Sequence, residues 1–399
     1  MRTKISRLDT CFRAGMLVLL GLSTTVSAQT PHLILAGATS PVTLTFMGEA
    51  GDYTRVDGQA RGAFFILLQP DDWNGDLVVL LRGGVPAGEP VEPPEGLVPL
   101  GVELASTGFG VAIPGYRTNG FSVFDGIIDS RIAEAQFTAH FGKPTDTFLA
   151  GFSMGTHILQ HHMEQVPGKY AGGLALCGAL GGPTLQWEIF VHKRALFDYF
   201  FPDVLPGDAL STPTPTFEQF INEYVPAIVG AILADPGRAI EMTGVEQFHY
   251  GFTGDFEELI EAVVQSVAIA TLNGADLVSK AGGIPVDTTA TTYVGSSDDT
   301  ALNTGIGRFS SDPNAAAYLG YTDPSGTLVR PILELHNTVD PLVPLEPHRA
   351  AYLEATDDPD LVLFREVDRF GHCEFTPDEL QGAFGDLVVW SKTGVRPAG

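Results

Sequence analysis

The 399-residue sequence contains little lysine, little cysteine and little positive charge overall. Lysine and arginine together number 22 against 48 aspartates and glutamates, which gives a formal net charge of −26 at pH 7. A surface this negative repels nucleic acid and anionic membranes, so we expect neither a nucleic-acid partner nor a membrane anchor. Zinc-ligand spacing, a P-loop and a dinucleotide glycine pattern are also missing from the sequence. We therefore expect no metal and no cofactor.

Long apolar runs are scarce as well, and the clearest one lies at the N-terminus. Residues 1–28 combine a basic start, an apolar core at 14–22 and a small final residue, Ala28, that suits signal-peptidase cleavage. The apolar core is shorter than the ~20 residues needed to span a bilayer, and we expect no other run of membrane length. The segment predicts export, so the mature protein should be secreted or periplasmic.

The sequence has three cysteines, and Cys11 falls in the N-terminal segment. Cys177 and Cys373 would remain after processing. An even number of cysteines in an exported protein favours one disulfide. The alternative is two unpaired thiols, with Cys177 acting as a small apolar residue in a buried strand.

Strand-like and helix-like segments alternate in two parts of the chain. Residues 29–75 contain short β-rich runs that predict an antiparallel entry hairpin or sheet edge. Further along, apolar runs without polar interruption are typical of strands buried in a parallel sheet. These runs cover 76–81, 108–114, 146–150, 170–177, 331–335 and 361–367. The amphipathic segment 124–141 predicts a helix between two of them, so the fold class is α/β with a mostly parallel central sheet flanked by helices.

The alternation stops between the fourth and fifth of these strands. Residues 181–328 begin with a group of aromatic side chains and continue with helix-like runs. We interpret this region as an inserted helical cap over the sheet. The chain is thus divided into a signal peptide (1–28), a core in two parts (29–180 and 329–399) and the cap (181–328).

Residues 151–155 have the pattern Gly-x-Ser-x-Gly, between an apolar strand and a helix-like segment. A serine on a tight strand-to-helix turn holds its hydroxyl clear of the sheet, and glycines two before and two after it leave room for neighbouring backbone. The following helix directs its N-terminal N–H groups at the place where negative charge would develop. Alone, the pattern fits an ordinary turn serine equally well, so Ser153 needs a base and an acid from elsewhere.

The loops after the last two predicted strands supply both candidates. Asp340 lies in the first loop and His372 in the second. Parallel strands bring such loops to one edge of the sheet, where a serine, a histidine that takes its proton and an acid that orients the histidine can meet. His336 is the alternative base and Asp368 the alternative acid, and Asp340 precedes a proline, so it also fits a simple turn.

These motifs resemble the α/β-hydrolase superfamily, and especially secreted bacterial carboxylesterases. The resemblance depends on the Gly-x-Ser-x-Gly turn at 151–155 (the nucleophile elbow, hereafter the elbow), the stretch 336–344 and the loop at 371–372. It covers the chain from the first long strand to the C-terminus, except for the cap. It implies the α/β-hydrolase fold. It also implies that Ser153 is the nucleophile, His372 the general base and Asp340 its orienting acid, in the chain order of that superfamily.

Cys373, directly after the histidine, is similar to the cysteine of tannase and feruloyl-esterase proteins. Those enzymes also have a cysteine directly before the serine, whereas this chain has Phe152 there. The difference suggests another partner for Cys373, namely Cys177, which ends the strand after the elbow helix. A Cys177–Cys373 bridge would hold the loop of His372 beside Ser153.

The superfamily also implies an oxyanion hole made by backbone N–H groups. One comes from the residue after the nucleophile, Met154, and we expect the second from Gly83 or Gly84, after the strand at 76–81. The neighbouring Arg82 either holds that loop or meets a substrate carboxylate. The residues expected to line the substrate pocket are Tyr116, Asn119 and Phe152.

These observations predict a secreted serine hydrolase that cleaves a small-molecule or polymeric carboxylic ester through an acyl-enzyme. One alternative is a secreted peptidase of the same fold, with Glu188 or Arg194 as a charged anchor for a peptide terminus. Another is a non-catalytic binding protein that has the same fold. The acidic pair at 298–299 lacks the spacing of a calcium loop, so we interpret it as solvated.

Overall fold

The computed structural model describes residues 42–49, 52–250 and 252–398. The predicted signal peptide lies outside these ranges. Within them, one mixed sheet of nine strands forms the centre of the molecule. Its strands are β1 (Val42–Glu49), β2 (Tyr53–Ala60), β3 (Ala63–Pro70), β4 (Leu77–Leu81), β5 (Gly110–Gly115), β6 (Thr147–Phe152), β7 (Gly172–Leu176), β8 (Ile332–Val339) and β9 (Val362–Phe370).

The strand order across the sheet is β1-β2-β3-β5-β4-β6-β7-β8-β9. The first three strands pair antiparallel, and β3 also pairs antiparallel with β5. All remaining pairs, from β5 across to β9, are parallel. The prediction of a mostly parallel sheet with an antiparallel entry edge is confirmed.

Helices cover both faces of this sheet. The α-helices of at least seven residues are α1 (Val98–Ser106), α2 (Val123–Phe141), α3 (Gly155–Gln165), α4 (Pro183–Phe200), α5 (Val225–Ala234), α6 (Pro236–Thr243), α7 (Phe256–Ala281), α8 (Asp299–Gly305), α9 (Pro313–Gly320), α10 (Leu345–Ala355) and α11 (Pro377–Thr393). One apolar core contains Ala105 of α1 and Leu387 of α11, and a second contains Phe137 of α2 and Ile158 of α3. Because both faces are covered, every residue of the central strands β4, β6 and β7 is buried, which explains their continuous apolar sequences.

Two strands extend further than the sequence predicted. β8 and β9 continue their pairing past Leu335, through His336 opposite Glu366, to a register shift between Asn337 and Val339. His336 therefore lies inside β8 and not in the loop after it. The loop that carries Asp340 begins immediately after β8, and the loop that carries His372 begins immediately after β9.

Between β7 and β8, the described residues form helices and loops without a strand, so the prediction of an inserted helical cap is confirmed. The centre of this cap is α7, which packs against α4, α5 and α9. Asp255 caps its start by accepting hydrogen bonds from the backbone N–H groups of Glu257 and Glu258. Gly282, in the left-handed conformation that glycine adopts without strain, ends it.

Helix α7 corrects one expectation about membrane-length segments. With 26 residues, it is long and apolar enough to cross a membrane by length and composition. However, 67% of its most apolar window is buried inside the protein. Burial of this extent is typical of a central helix in a packed domain, which is the position that α7 occupies in the cap.

Candidate active site

The elbow between β6 and α3 places Ser153 at the carboxyl edge of the sheet. Ser153 has φ = 49°, a left-handed conformation that is strained for a residue with a side chain. Its backbone N–H donates to Leu176 O at 2.9 Å, and its carbonyl accepts from Thr156 N at 2.9 Å. The strained residue is thus held from both sides by backbone hydrogen bonds, at the point where the strand turns into the helix.

The two flanking glycines are required by close backbone approach. A Cβ atom on Gly151 would lie 2.7 Å from Gly155 O. A Cβ atom on Gly155 would overlap Leu81 O and lie 2.8 Å from Arg82 O. Real Cβ atoms do not approach backbone so closely, so the Gly-x-Ser-x-Gly pattern is here a steric requirement of the fold.

Asp340 and His372 are joined by a short hydrogen bond. Nδ1 of His372 donates to Oδ2 of Asp340 at 2.6 Å. Oδ1 of Asp340 accepts from the backbone N–H groups of Leu342 and Val343, both at 2.9 Å. The carboxylate is fully buried. With its proton held on Nδ1, the imidazole keeps Nε2 as an acceptor, which is the tautomer that a general base requires.

The hydrogen bond expected between Ser153 and His372 is not formed in this structure. Nε2 of His372 is buried and has no hydrogen-bond partner among the described residues. The two side chains nevertheless line the same cavity. Hydrogen bonds between a nucleophile and its base are often long or poorly aligned before substrate binds, so this geometry does not remove His372 as the candidate base.

The predicted disulfide is present and connects the two sides of this site. Cys177 and Cys373 are bonded, with Cα atoms 5.1 Å apart. Cys177 follows Leu176, whose carbonyl accepts the Ser153 N–H, and Cys373 follows His372. A ring nitrogen of His372 and the two sulfur atoms lie within 4.8 Å of one another. The bridge thus fixes the histidine loop next to the elbow, and its sulfurs offer no thiolate to a metal.

The alternative base and the alternative acid both have other hydrogen-bond partners, although Nε2 of His336 lies 3.6 Å from Oδ2 of Asp340. His336 is buried, with Nδ1 2.5 Å from Oε1 of Glu334 and Nε2 2.8 Å from Val343 O. Both partners accept hydrogen bonds, so both ring nitrogens donate and neither can take a proton from serine. Burial alone would lower the pKa of His336, but the hydrogen bond and charge of Glu334 raise it above its ordinary value. Asp368 bonds Thr338 in an exposed position and does not contact His372.

The residues expected to form the oxyanion hole lie at the same cavity as the nucleophile. Gly83, Gly84 and Met154 line the cavity together with Ser153. A Cβ atom on Gly84 would lie 3.9 Å from Sδ of Met154, so the two loops are in contact. The absence of a side chain on Gly83 and Gly84 leaves their backbone accessible from the cavity, as an oxyanion hole requires.

Arg82 holds the loop after β4 and does not face a substrate. Its guanidinium donates to Gly83 O at 3.0 Å, to Thr118 O at 3.1 Å and to Oδ1 of Asn119 at 3.1 Å. It also lies 4.3 Å from the centroid of the Tyr116 ring. Burial lowers the pKa of Arg82 to about 10. These three hydrogen bonds all go to protein groups, and Arg82 is not among the described residues that line the cavity, which favours the structural role over contact with a substrate carboxylate.

Two of the three residues predicted to line the substrate pocket do not line the cavity. Tyr116 is fully buried, and its hydroxyl donates to Arg82 O at 3.2 Å. The amide nitrogen of Asn119 donates to Glu89 O and Pro90 O, both at 3.0 Å. Both side chains support the loop after β4 from behind and do not line the cavity. Phe152, in contrast, lines it as predicted.

The cavity has a volume of about 150 Å³ and is mainly apolar. The core contributes Leu97, Phe121 and Phe152 to its wall, and the cap contributes Trp187, Phe190 and Ile269. Its polar side chains include Gln186, Gln265, Asn273 and Glu374. The sequence suggested a role for the aromatic start of the cap. It gave no signal for the residues of α7, because their long-range placement depends on how the cap packs.

His157 also lines the cavity, although the sequence did not single it out. It lies on α3, four residues after Ser153, and is 3% exposed. Burial lowers the pKa of His157 to about 4, so the imidazole is neutral near pH 7. Its Nδ1 makes no hydrogen bond within the described ranges. The only sequence signal for His157 was its position one helical turn after the nucleophile.

Comparison with known proteins supports the assignment of the fold. No family model and no curated protein sequence matches the chain. The structure is similar to an esterase from Aspergillus oryzae, with a TM-score of 0.50 and 12% sequence identity over 89% of this chain and 88% of that one. At this identity, the likeness concerns the fold alone.

Two other solved structures are less similar. Feruloyl esterase B from Aspergillus oryzae gives a TM-score of 0.43 with 14% identity over 92% of this chain and 86% of that one. An esterase from Pyrococcus furiosus gives 0.42 with 12% identity over 90% and 96% of the two chains.

Proposed function

On the premise that the chain has the α/β-hydrolase fold, we propose that it is a serine hydrolase that cleaves carboxylic esters. Ser153 is the nucleophile, His372 the general base and Asp340 the acid that orients it. The observation that carries this proposal is the arrangement at one cavity. The strained serine and the histidine both line it, and the histidine donates to a buried carboxylate.

The reaction follows from this arrangement. Oγ of Ser153 attacks the ester carbonyl carbon while Nε2 of His372 accepts the hydroxyl proton. The negative charge on the former carbonyl oxygen is stabilised by the backbone N–H groups of Met154 and of Gly83 or Gly84. The C–O bond to the alcohol then breaks, and His372 returns the proton to the leaving oxygen. A water molecule, activated by the same imidazole, hydrolyses the acyl-enzyme and releases the acid.

The size and lining of the cavity support a substrate with an apolar acyl or alcohol group. Four aromatic side chains, from both the core and the cap, enclose about 150 Å³. Apolar pockets of this kind bind mainly by excluding water from the ligand. We propose a small-molecule ester, or the end of a polymeric ester, as the substrate, and a secreted or periplasmic location that follows from the N-terminal segment.

The peptidase alternative receives less support from the same site. Arg194 is fully buried, with its donors directed at Asp198, Thr212 and Thr271. Neither Arg194 nor Glu188 is among the described residues that line the cavity. The two predicted anchors for a peptide terminus are therefore absent from the place where that alternative needs them.

Steady-state hydrolysis of a p-nitrophenyl ester tests the proposal. Ser153→Ala should lower kcat by at least about 10⁴-fold, because the nucleophile is lost while the fold remains. The matched control is Ser106→Ala, at an exposed serine on α1, which should leave kcat unchanged. Activity should fall below about pH 6–7, where an ordinary histidine becomes protonated and can no longer accept the serine proton.

Retention of activity in Ser153→Ala would contradict the assignment of the nucleophile. A pH profile that stays flat down to about pH 4 would contradict a histidine base. A wild-type protein that cleaves aminoacyl anilides faster than esters would favour the peptidase. A protein that cleaves neither would favour a binding function.

A further inference from the structure

Side chains of the cap bind the loop that carries Asp340. The carbonyl of Pro341, directly after the acid, accepts from Nζ of Lys193 at 2.5 Å and from Oγ of Ser266 at 3.0 Å. The next carbonyl, of Leu342, accepts from Nε2 of Gln186 at 3.2 Å. The loop therefore has donors from the cap on two consecutive carbonyls, while the N–H groups that follow bind the carboxylate of Asp340 itself.

These donors come from two helices that the sequence places far from the loop. Gln186 and Lys193 lie on α4, seven residues apart, which is about two helical turns and puts them on one side of the helix. Ser266 lies on α7, the central helix of the cap. The acid loop is thus held between the sheet and both principal cap helices.

Lys193 is unusual among these donors because it introduces a charge into the interior. Its side chain is fully buried, and no carboxylate of the described residues lies within ion-pair distance of it. Burial lowers the pKa of Lys193 to about 7, against the attraction of Asp340, which raises it. The ammonium also lies 5.8 Å from the centroid of the Phe248 ring. Burial, with a smaller contribution from the charge of Lys193, lowers the pKa of His249 to about 4.

We propose that Lys193 is a positioning residue for Asp340, so that the docked cap is needed for the chemical step and not only for enclosing the substrate. This inference rests on the proposed function. Lys193 acts through its hydrogen bond to the Pro341 carbonyl, which fixes the loop. It does not contact the substrate, since it is not among the described residues that line the cavity.

The energetic argument distinguishes this role from simple packing. A buried ammonium group loses its hydration and is unfavourable unless the protein compensates it. The compensation visible here is one hydrogen bond to the acid loop, the attraction of Asp340 and the face of the Phe248 ring. A side chain that served only to fill space between α4 and the loop would need no charge.

The position of Lys193 gives the proposal a specific kinetic signature. The side chain contacts the loop of Asp340 and does not line the cavity, so its loss should act on kcat and leave KM nearly unchanged.

The test compares Lys193→Met with Arg238→Met. Methionine keeps the length of the side chain without the donor or the charge, and Arg238 is an exposed cap cation whose removal controls for the change in net charge. Loss of loop positioning should lower kcat by about tenfold or more, since small displacements of catalytic groups have effects of this size. KM should change by less than about twofold, because the side chain is outside the cavity. Arg238→Met should leave both kcat and KM within about twofold of the wild-type values.

A second variant tests the proposal even if Lys193→Met does not fold, and an NMR measurement adds a second readout. Ser266→Ala removes the other donor to the Pro341 carbonyl and should lower kcat by about threefold with KM nearly unchanged. The proton between His372 and Asp340 should give a far-downfield NMR resonance, in which both variants can be compared with wild type. We expect this resonance to weaken or broaden in Lys193→Met.

The inference is overturned if folded Lys193→Met keeps its kcat within about twofold, or if its KM rises while kcat stays fixed. If Lys193→Met does not fold, an unchanged kcat in Ser266→Ala overturns it. Failure of the proposed function is distinguishable from both results. In that case the wild-type protein itself shows no Ser153-dependent hydrolysis, and the positioning role falls with it.

Discussion

The serine side and the acid side of the candidate site are held by different kinds of interaction. Ser153 is fixed by groups of the elbow and the adjacent strand, through two backbone hydrogen bonds, one hydrogen bond from Oγ1 of Thr156 to its carbonyl at 2.6 Å, and two glycines that lie two residues away. The loop of Asp340 is fixed by side chains from the cap, among them Lys193 and Gln186, which are 148 and 156 residues distant in sequence from the carbonyls that they bind. A local motif thus builds one side, and the tertiary packing of an insertion builds the other.

This difference determines what a disturbance of each side should do. A change at the elbow acts on the central strands of the sheet, so it affects stability and catalysis together. A change in the cap acts on the acid loop or on the substrate, so it affects catalysis while the sheet stays intact. The disulfide between Cys177 and Cys373 is the covalent link between the elbow and the histidine loop.

Removing that link should have the largest effect on stability. The double variant Cys177→Ala/Cys373→Ala opens a loop of 196 residues, and the chain-entropy model gives a loss of about 4–5 kcal/mol in the free energy of unfolding. We also expect kcat to fall, because His372 is no longer fixed beside the elbow. Urea unfolding measures the first effect and ester hydrolysis the second.

A reducing agent supplies the control for this variant. Wild-type protein treated with dithiothreitol should show the same loss of stability, and the double variant should not respond to the reagent. Two free thiols in wild-type protein denatured without reductant would show that the bridge does not form.

The elbow itself should be the next most sensitive position. Gly155→Ala places a Cβ atom against the backbone carbonyls of Leu81 and Arg82, so we expect a loss of about 3 kcal/mol or more in the free energy of unfolding and a large loss of activity. The matched change is Gly230→Ala on helix α5, where a Cβ atom meets nothing within 4 Å. That variant should gain about 0.5–1 kcal/mol from higher helix propensity. Equal effects of the two changes, measured by urea unfolding, would contradict the steric argument.

The smallest expected effects come from two aromatic residues. Trp187 of the cap lines the cavity, whereas Tyr116 holds the loop after β4. Trp187→Ala removes an aromatic wall that the cap contributes to the cavity, and we expect KM for a naphthyl ester to rise about tenfold. Tyr116→Phe removes only the hydrogen bond to Arg82 O, so KM should change by less than about twofold and stability by about 1 kcal/mol. A rise in KM for Tyr116→Phe without a rise for Trp187→Ala would indicate that Tyr116, and not Trp187, contacts the substrate.

The sequence predicted those parts of the structure that depend on local pattern. Continuous apolar strands, the helix at 124–141 and the Gly-x-Ser-x-Gly turn each reflect a constraint within a few residues. The predicted pairing of the cysteines followed from their even number and from the strand that Cys177 ends. Cys177 has φ = 48° and Cys373 has φ = 60°, and no sequence pattern predicted these positive values.

The errors arose where distant segments meet. Tyr116 and Asn119 follow a strand that ends at the correct edge, but their side chains turn toward Arg82 and away from the cavity. The apolar run ends at Leu335, but the pairing of β8 with β9 continues beyond it. His336 therefore lies in the strand and not in the predicted loop. The residues that the cap contributes were not predictable, because their positions depend on the docking of α4 and α7. Lys193, a rare lysine within an apolar and aromatic helix, was the one sequence signal for the contact with the acid loop.

Covalent labelling with a fluorophosphonate tests the central claim most directly. The reagent forms a stable adduct only with a serine that a neighbouring base activates. After labelling, digestion and mass spectrometry should find one adduct per chain, on the peptide that contains Ser153, and none in Ser153→Ala. An unlabelled wild-type protein, or an adduct on a different serine, would contradict the account.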